Sequence, residues 1–563
     1  MNNALNHFEN NPVNLDISRS IFNRNCSHLF SANAGEVIPI YCESVYPGDT
    51  VKMSTSKVVR LQPLVTPVFG NVYLDTYWFF VPHRLVWSHF EEFMGENKTT
   101  AWTPSVTYTV PQIKVPTGGF DVGTIADHIG IAPKEGAAKE VSVLPLRSYA
   151  LIMDQWFRSE ALMNPVHVHV DDTTRTGVNT GDQVTDIELG GKPFVACKLF
   201  DYFTSVLPSS QRATGPMVEF ALNGLLPVNA YANKATGVIG EDYNTNFGSM
   251  VMFSKDSNGD YAYHSSTANR NLAIKGGNGH VGINGDASVT NVGEPNYLTP
   301  INMFADLNNT SIFDINSLRQ AFAIQRYYEK TARAGGRYIE QIRSFFSTTV
   351  PDYRVQRAEY LGGNRVPLQI NSEYQQSASQ TGLTPQGNPI GISHTGDVHS
   401  DFVKSFSEHG YLIGVSVLRY DHLYQDSVAK HWFRKTLFDW YNPVFANLGE
   451  MEVLENEIYF DSTSNGAFGF QEAWADLRTG INMVSGQMRS VDSAPLDMWH
   501  LADHYTSQPY LSDSWIREDK SNLDRCLAVS SSVANQYMAD YYFDCEWSRA
   551  MPLYSIPGLI DHH

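Results

Sequence analysis

The feature that most constrains this chain is the spacing of its apolar runs. Short stretches rich in Val, Ile, Tyr and Phe recur along the sequence, and Pro, Gly, Asn and Asp cut each of them off. Such runs read as β-strands bounded by turns. The early ones are Val37–Cys42, Thr50–Met53, Lys57–Leu61 and Val72–Val81, and the late ones are Tyr411–Tyr420 and Glu457–Phe460. Tyr46-Pro-Gly-Asp49 is a turn by its own chemistry, because Pro47 presets φ and Gly48 accepts φ > 0. Strands this far apart must pair over long distances. The pattern predicts a mainly β chain, a Greek-key or jelly-roll sandwich with large inserted loops, and does not suit alternating βαβ units.

A few helices interrupt this pattern. Leu85–Met94 follows Pro82 and is amphipathic, and Leu144–Phe157 is a second candidate. The clearest is Asn316–Arg333, where Leu318, Ala321, Ile324, Tyr328 and Ala332 recur at helical spacing before Gly335-Gly336 breaks it. The segment Asn229–Tyr297 is crowded with Asn, Gly and Ser. Its patches Ser249–Phe253 and Asp260–His264 look like hairpin strands, so it reads as an ordered surface insertion. Tyr374–Asp401 reads as a long exposed loop or a segment that wraps a neighbour. The expected organisation is an N-terminal arm and first part of the sandwich over 1–228, the insertion over 229–300, and the remainder over 301–563. That last part holds helices, long loops and an extended C-terminal tail.

Charge narrows the function. Lys and Arg number 40 against 59 Asp and Glu, a net charge of −19. Binding nucleic acid along a phosphate backbone needs clustered cations, so the chain as a whole is not a general nucleic-acid binder. Charged residues make up 18% and aromatics 12%. Against about 25% charged residues in ordinary soluble proteins, this suggests extensive contact with other chains, although aromatics fill ordinary cores too. The five Cys have wide spacings and no C-x-x-C, which fits reduced thiols and speaks against a zinc ribbon. Met1–Asn11 is polar, so no signal peptide is expected. The densest apolar run, Tyr77–Val81, is far short of the ~20 residues that span a bilayer.

The candidate chemistries are weak. Gly277-Asn-Gly279-His-Val-Gly282 has the letters of a dinucleotide fingerprint, but Asn284-Gly285-Asp286 follows it as turn chemistry, not as a helix. His167-Val-His169 with Asp171 and Asp172, and His500 with His504, have spacings open to a metal, although a histidine couple at a surface or interface is the plainer reading. No Gly-x-Ser-x-Gly elbow occurs. No catalytic residue, metal or cofactor is therefore expected. Arg319, Arg326, Lys330 and Arg333 lie 7, 4 and 3 apart, which places them within about 60° on one helix face. Such a stripe could hold DNA phosphates, or be a solvated face with salt bridges to Glu329 and Asp314. Tyr243, Tyr261, Tyr263 and His280 in the insertion could bind a receptor or form the insertion's own small core.

Several ordered segments carry a resemblance. They are Ser27-His-Leu-Phe-Ser-Ala-Asn-Ala-Gly-Glu-Val-Ile-Pro-Ile-Tyr41, Val45-Tyr-Pro-Gly-Asp-Thr50, Asp75-Thr-Tyr-Trp-Phe-Phe-Val-Pro-His-Arg-Leu-Val-Trp87, Leu318-Arg-Gln-Ala-Phe-Ala-Ile-Gln325, Glu359-Tyr-Leu-Gly-Gly-Asn-Arg365 and Arg549-Ala-Met-Pro-Leu-Tyr-Ser-Ile-Pro-Gly-Leu-Ile-Asp561. Together the chain resembles the major capsid protein of the Microviridae, and most closely its gokushovirus branch. The likeness covers nearly the whole length and weakens between Asn229 and Pro300.

The resemblance implies a viral jelly roll, an eight-stranded antiparallel β-sandwich, whose copies assemble in the bacterial host cytoplasm into the T=1 icosahedral shell of the virion. It implies packaged single-stranded DNA, a small basic DNA-binding viral protein, a minor or pilot protein and a host cell-surface receptor as partners, with no membrane insertion. The insertion would project at the threefold axes and contribute to host attachment. Pro552, Tyr554, Pro557 and Gly558 mark an extended tail suited to subunit contact. The rival reading is a secreted-type β-sandwich that binds or hydrolyses carbohydrate. Aromatic richness and the acidic balance suit it, and the missing signal peptide counts against it.

Overall fold

The computed structural model describes residues 18–96, 107–211, 356–376, 386–463 and 466–554. Between 212 and 355 it describes five short strands, the helix Ile315–Ala334 and residues 344–345. The chain divides into two compact units, Met1–Arg212 with Glu329–His563, and Ala213–Tyr328.

The first unit is built on eight antiparallel strands. β1 runs in two pieces, Ser20–Asn23 and Cys26–Ala32, and β2 spans Ile38–Val45, β3 Thr50–Leu61 and β4 Val72–Pro82. β5 spans Glu359–Pro367, β6 Thr395–Ser405, β7 Gly410–Tyr420 and β8 Tyr537–Arg549. One sheet has the order β1-β8-β3-β6 and the other β5-β4-β7-β2. Every link between consecutive strands passes from one sheet to the other except β4–β5, which is the jelly-roll topology.

Burial explains the letters of each strand. β8 alternates strictly, with Tyr537, Ala539, Tyr541, Phe543, Cys545 and Trp547 buried and the residues between them exposed. Its sheet therefore presents one face to the core. β7 is buried along almost its whole length. Leu412, Leu418 and Tyr420 enter the core between the sheets, while Ile413, Val415 and Val417 enter a second core. Trp87, Tyr149 and Phe203, from the loops and the helix α1 (Leu144–Ile152), fill that second core. A strand covered on both faces has no reason to alternate, so Tyr411–Tyr420 reads as one apolar run.

Trp78 is the centre of the inter-sheet core. It is fully buried, and its ring lies 5.6 Å from Tyr41 and 5.7 Å from both Phe402 and Phe543. Gly414 makes room for it, since a Cβ there would stand 2.8 Å from the indole. Gly48 has φ +88°, the geometry that its turn demands.

The sequence expectations hold for Val72–Val81, Tyr411–Tyr420 and the long helix, here α2 (Ile315–Ala334). Val37–Cys42 falls on β2, which runs on to Val45. In the second unit Met252–Lys255 pairs with Tyr261–Tyr263 as an antiparallel hairpin, its first strand starting three residues later than the expected Ser249–Phe253.

Four expectations need correction. Thr50–Met53 and Lys57–Leu61 are one strand, because Thr55 and Lys57 point into the sandwich and find polar partners there. Leu85–Met94 is two short helices, His83–Val86 and Phe90–Phe93, broken where Trp87 turns extended to bury its indole and bond Asp172. Glu457–Phe460 is not a strand: Glu455–Ile458 is a helical turn in which Glu457 reaches back to the Leu454 amide at 2.9 Å. Tyr374–Asp401 is not simply a loop. Ile370–Tyr374 pairs with Pro389–Ser393, and β6 begins at Thr395.

Trp78→Ala is expected to destabilise the subunit by about 3–5 kcal/mol. Denaturant unfolding of the purified subunit reads this directly, and a loss below ~1 kcal/mol would show that Trp78 is not the core's centre.

Candidate assembly surfaces

A segment from the first tenth of the chain and one from its last strand meet at one turn. The Tyr46 amide donates to Asp49 Oδ2 at 3.1 Å, closing the turn. Arg549, at the end of β8, donates Nε to the same Asp49 oxygen at 3.0 Å and its guanidinium to Ser44 O at 3.0 Å. That guanidinium also lies over Trp547 at 4.4 Å and Tyr46 at 5.4 Å. The first residue of the C-terminal run is thus fixed to the N-terminal turn, and the tail leaves the body from a rigid point. Both partners belong to segments singled out in the sequence, but nothing in their letters says that they touch.

Beyond this anchor Met551, Pro552, Leu553 and Tyr554 are exposed. Pro557 and Gly558 lie outside the described residues. Tyr243 and His280 do as well, and Tyr261 and Tyr263 share one short strand of the second unit. The letters Gly277–Gly282 also lie outside.

Helix α2 carries all four cationic positions. Arg319, Arg326 and Lys330 are exposed. Lys330 lies over the Phe345 ring at 4.8 Å, and Arg333 pairs with Glu450 and donates to Gly449 O at 3.0 Å. The partner of Arg333 is 117 residues away in sequence and has no spacing signal.

Neither histidine pair is arranged as its spacing suggested. His167 and His169 lie outside any strand with ring centroids 5.8 Å apart, and His169 is bonded to Glu188. The stretch from His500 to His504 is not helical. His500 Nε2 donates to Met488 O at 2.6 Å, and His504 pairs with Asp426 at 3.1 Å. Among the described residues no three His, Cys, Asp or Glu come together as a metal-holding group.

A buried ionic cluster was not legible in the sequence. His422 is enclosed between Asp503, at 3.1 Å from Nδ1, and Glu518, at 2.9 Å from Nε2. Lys198 Nζ lies 3.3 Å from Asp503, and Tyr505 donates to that carboxylate at 3.3 Å. Burial alone would lower the His422 pKa, but Asp503 and Glu518 outweigh it and raise it to about 10. Burial would raise Asp503, yet His422 and Lys198 hold it well below the usual carboxylate range. Both imidazole nitrogens are occupied by carboxylates, so the cluster is a clamp between loops, not an acid–base site. A cleft of about 1150 Å³ has Tyr77, Phe79, Trp156 and Tyr360 in its walls. Its Arg365 and Arg419 are committed to Asp75.

Residues 12–559 match the family described as capsid protein (F protein). The chain belongs to this capsid family. Capsid protein VP1 of Spiroplasma virus 4 is 39% identical over 534 residues, which cover 94% of this chain and 93% of that protein. Capsid protein VP1 of Chlamydia phage 1 is 33% identical over 587 residues, with 96% of each chain covered. Capsid protein VP1 of Bdellovibrio phage phiMH2K is 34% identical over 545 residues, with 96% and 95% covered. The resemblance to the Microviridae major capsid protein and its gokushovirus branch is thereby sustained, and the role of this capsid protein is structural. The surfaces above are those of a phage-particle component, and no helix among the described residues is long and apolar enough to cross a membrane.

His422→Leu should leave the buried Glu518 without its cation and Asp503 with Lys198 alone, and cost about 3–5 kcal/mol. The pH dependence has a definite sign. Stability carried by His422 is complete below its unfolded value near 6.5 and is lost as pH rises toward 10, while that carried by Asp503 is complete above about 4 and is lost on acidification. The unfolding temperature of the capsid protein should be highest between about pH 4.5 and 6.5. The alkaline part of the fall should disappear in His422→Leu.

Proposed function

We propose that copies of this capsid protein close into a T=1 icosahedral shell around a single-stranded DNA genome in the bacterial host cytoplasm. The observation that carries this reading is a capsid-family match over residues 12–559 laid on an eight-stranded jelly roll. Closed shells arise from heterologous contacts when the rotation between copies closes. The exposed Met551, Leu553 and Tyr554, leaving the body at the Arg549 anchor, support a tail that reaches a neighbouring copy through Pro552, Tyr554, Pro557 and Gly558.

The net charge of −19 leaves DNA phosphates to be neutralised by other molecules. That requirement supports a small basic viral protein as partner beside the minor or pilot protein. Arg319, Arg326, Lys330 and Arg333 on α2 are the candidate inward contacts to the genome, and the exposure of the first three supports this. The insertion over 229–300, with Tyr243, Tyr261, Tyr263 and His280, is the candidate for attachment to a host receptor.

Electron microscopy of the protein, expressed alone and with its neighbouring viral genes, tests the shell. Uniform closed particles are expected, and a persistent soluble monomer in both cases would overturn the reading. Deleting 554–563 should abolish particles while the subunit still folds, whereas normal particle yield would remove the tail from assembly. Replacing 231–297 by a short Gly-Ser linker should leave shells intact and reduce adsorption to cells. Undiminished adsorption would end the attachment role.

A further inference from the structure

Between β7 and β8 the segment 430–448 shows large apolar side chains to solvent. Its backbone is held in three one-turn helices, Lys430–Phe433, Leu437–Asp439 and Pro443–Phe445. Polar contacts fix it from below. Arg434 pairs with the nearly buried Asp476, Lys430 lies 3.6 Å from the buried Glu457, and Trp474 Nε1 donates to Phe445 O at 3.0 Å. Thr436 and Asp439 cap one turn reciprocally, and Asn442 caps the next. Above this footing Trp432 is 74% exposed, Leu437 80%, Phe438 72%, Trp440 57%, Tyr441 48% and Val444 83%. A loop with apolar side chains normally turns them inward. Here the ion pairs go inward and the apolar groups go out.

We infer that segment 430–448 is an apolar knob through which one copy of this capsid protein docks onto a second copy. The inference rests on the shell reading and names its contact surface. Three observations select a second copy as the occupant. The first is area. Aromatic side chains each carry about 150–250 Å², so six residues at these exposures offer on the order of 700 Å², close to the ~800 Å² that one partner contributes to a standard interface. The second is charge. Lys430 and Arg434 are committed to the segment's own footing, which leaves the exposed Lys435 as the one uncommitted lysine or arginine of the segment, too little cation for phosphate. The third is the net charge of −19, which makes copies repel. A patch that adds no uncompensated acid, with Lys435 its one free lysine, lets acidic copies approach, and aromatic groups are enriched at the cores of such interfaces.

Hydroxyl-radical footprinting of Trp432 and Trp440 tests this on the unaltered chain. Labelling should fall on the order of tenfold from free subunit to empty shell, as for a side chain in an interface core. Equal labelling in subunit and shell would overturn the inference and leave the shell reading standing. Protection confined to DNA-filled particles would assign the patch to the genome and also overturn it. If the unaltered chain forms no shell at all, the shell reading fails and this inference falls with it. The triple variant Leu437→Asp, Phe438→Asp, Val444→Asp should keep the unfolding midpoint of the subunit, since all three residues are exposed, and should lose particles by sedimentation. Particles at full yield from that variant would count against the knob.

Discussion

The sandwich depends on one strand pairing. β8 lies between β1 and β3 and pairs with β3 from Tyr537 opposite Leu61 to Ser548 opposite Thr50. It supplies Tyr541, Phe543 and Trp547 to the inter-sheet core. Without it β1 has no neighbour in the sheet, and the aromatic cluster around Trp78 is open on one side. Its partner strand lies more than 470 positions earlier in the chain. Contacts so distant make folding slow, because loop closure must precede the gain from pairing. The same physics explains why the intervening loops can be long. Closure entropy grows only by about 0.6 kcal/mol for each doubling of loop length.

Ions inside the fold fix how the strands align. Asp75 on β4 accepts Arg365 from β5 at 2.6 and 2.9 Å and also pairs with Arg419 from β7, so one carboxylate ties three neighbouring strands. Burial would raise the Asp75 pKa, but the two guanidiniums bring it below the usual value. Between the two sheets, Lys57 from β3 reaches Asp397 of β6 at 3.4 Å and Thr76 of β4 at 3.2 Å. Burial pushes the Lys57 pKa down, against the pull of Asp397. A slip of one residue would turn each of these groups to the wrong face and leave its partner buried and unpaired. These pairs therefore select a register more than they add stability.

Legibility in the sequence followed the solvent. β4, β7 and α2 were readable because their apolar letters have a continuous or a 3.6-residue pattern. β8 has a cleaner alternation than any of them, but Asp540, Asp544 and Glu546 on its outer face dilute the apolar signal. β6 is worse, since Asp397, His399 and Asp401 take its half-buried positions while Val398 and Val403 are exposed, so its letters run against an apolar-inward pattern. Glu457 misled the reading of its segment, because a capping role depends on the Leu454 amide and on Tyr202 from 255 residues earlier. The His422 cluster was invisible for the same reason: positions 422, 503 and 518 share no period. In 430–448 the aromatic letters were plain, yet only the fold says whether they face in or out.

The edges of the two sheets bear on how copies can meet. A bare edge strand invites strand addition from another chain. Here every edge is interrupted. β5 carries an extra residue at Leu361, β6 at Asp401 and β2 at Ile40, each a break in register against its single partner. β1, the fourth edge, is broken between Asn23 and Cys26. Bulges twist and unpair the ladder where a foreign strand would add. β4 and β7, buried on both faces, are closed to a neighbour as well. Among the described residues, the surfaces left open to another copy are the outer face of the sheet β1-β8-β3-β6, residues 550–554 beyond Arg549 and the loops between strands. A scaffold with blunted edges thus moves association from backbone pairing, which is indiscriminate, to loop surfaces, which carry shape.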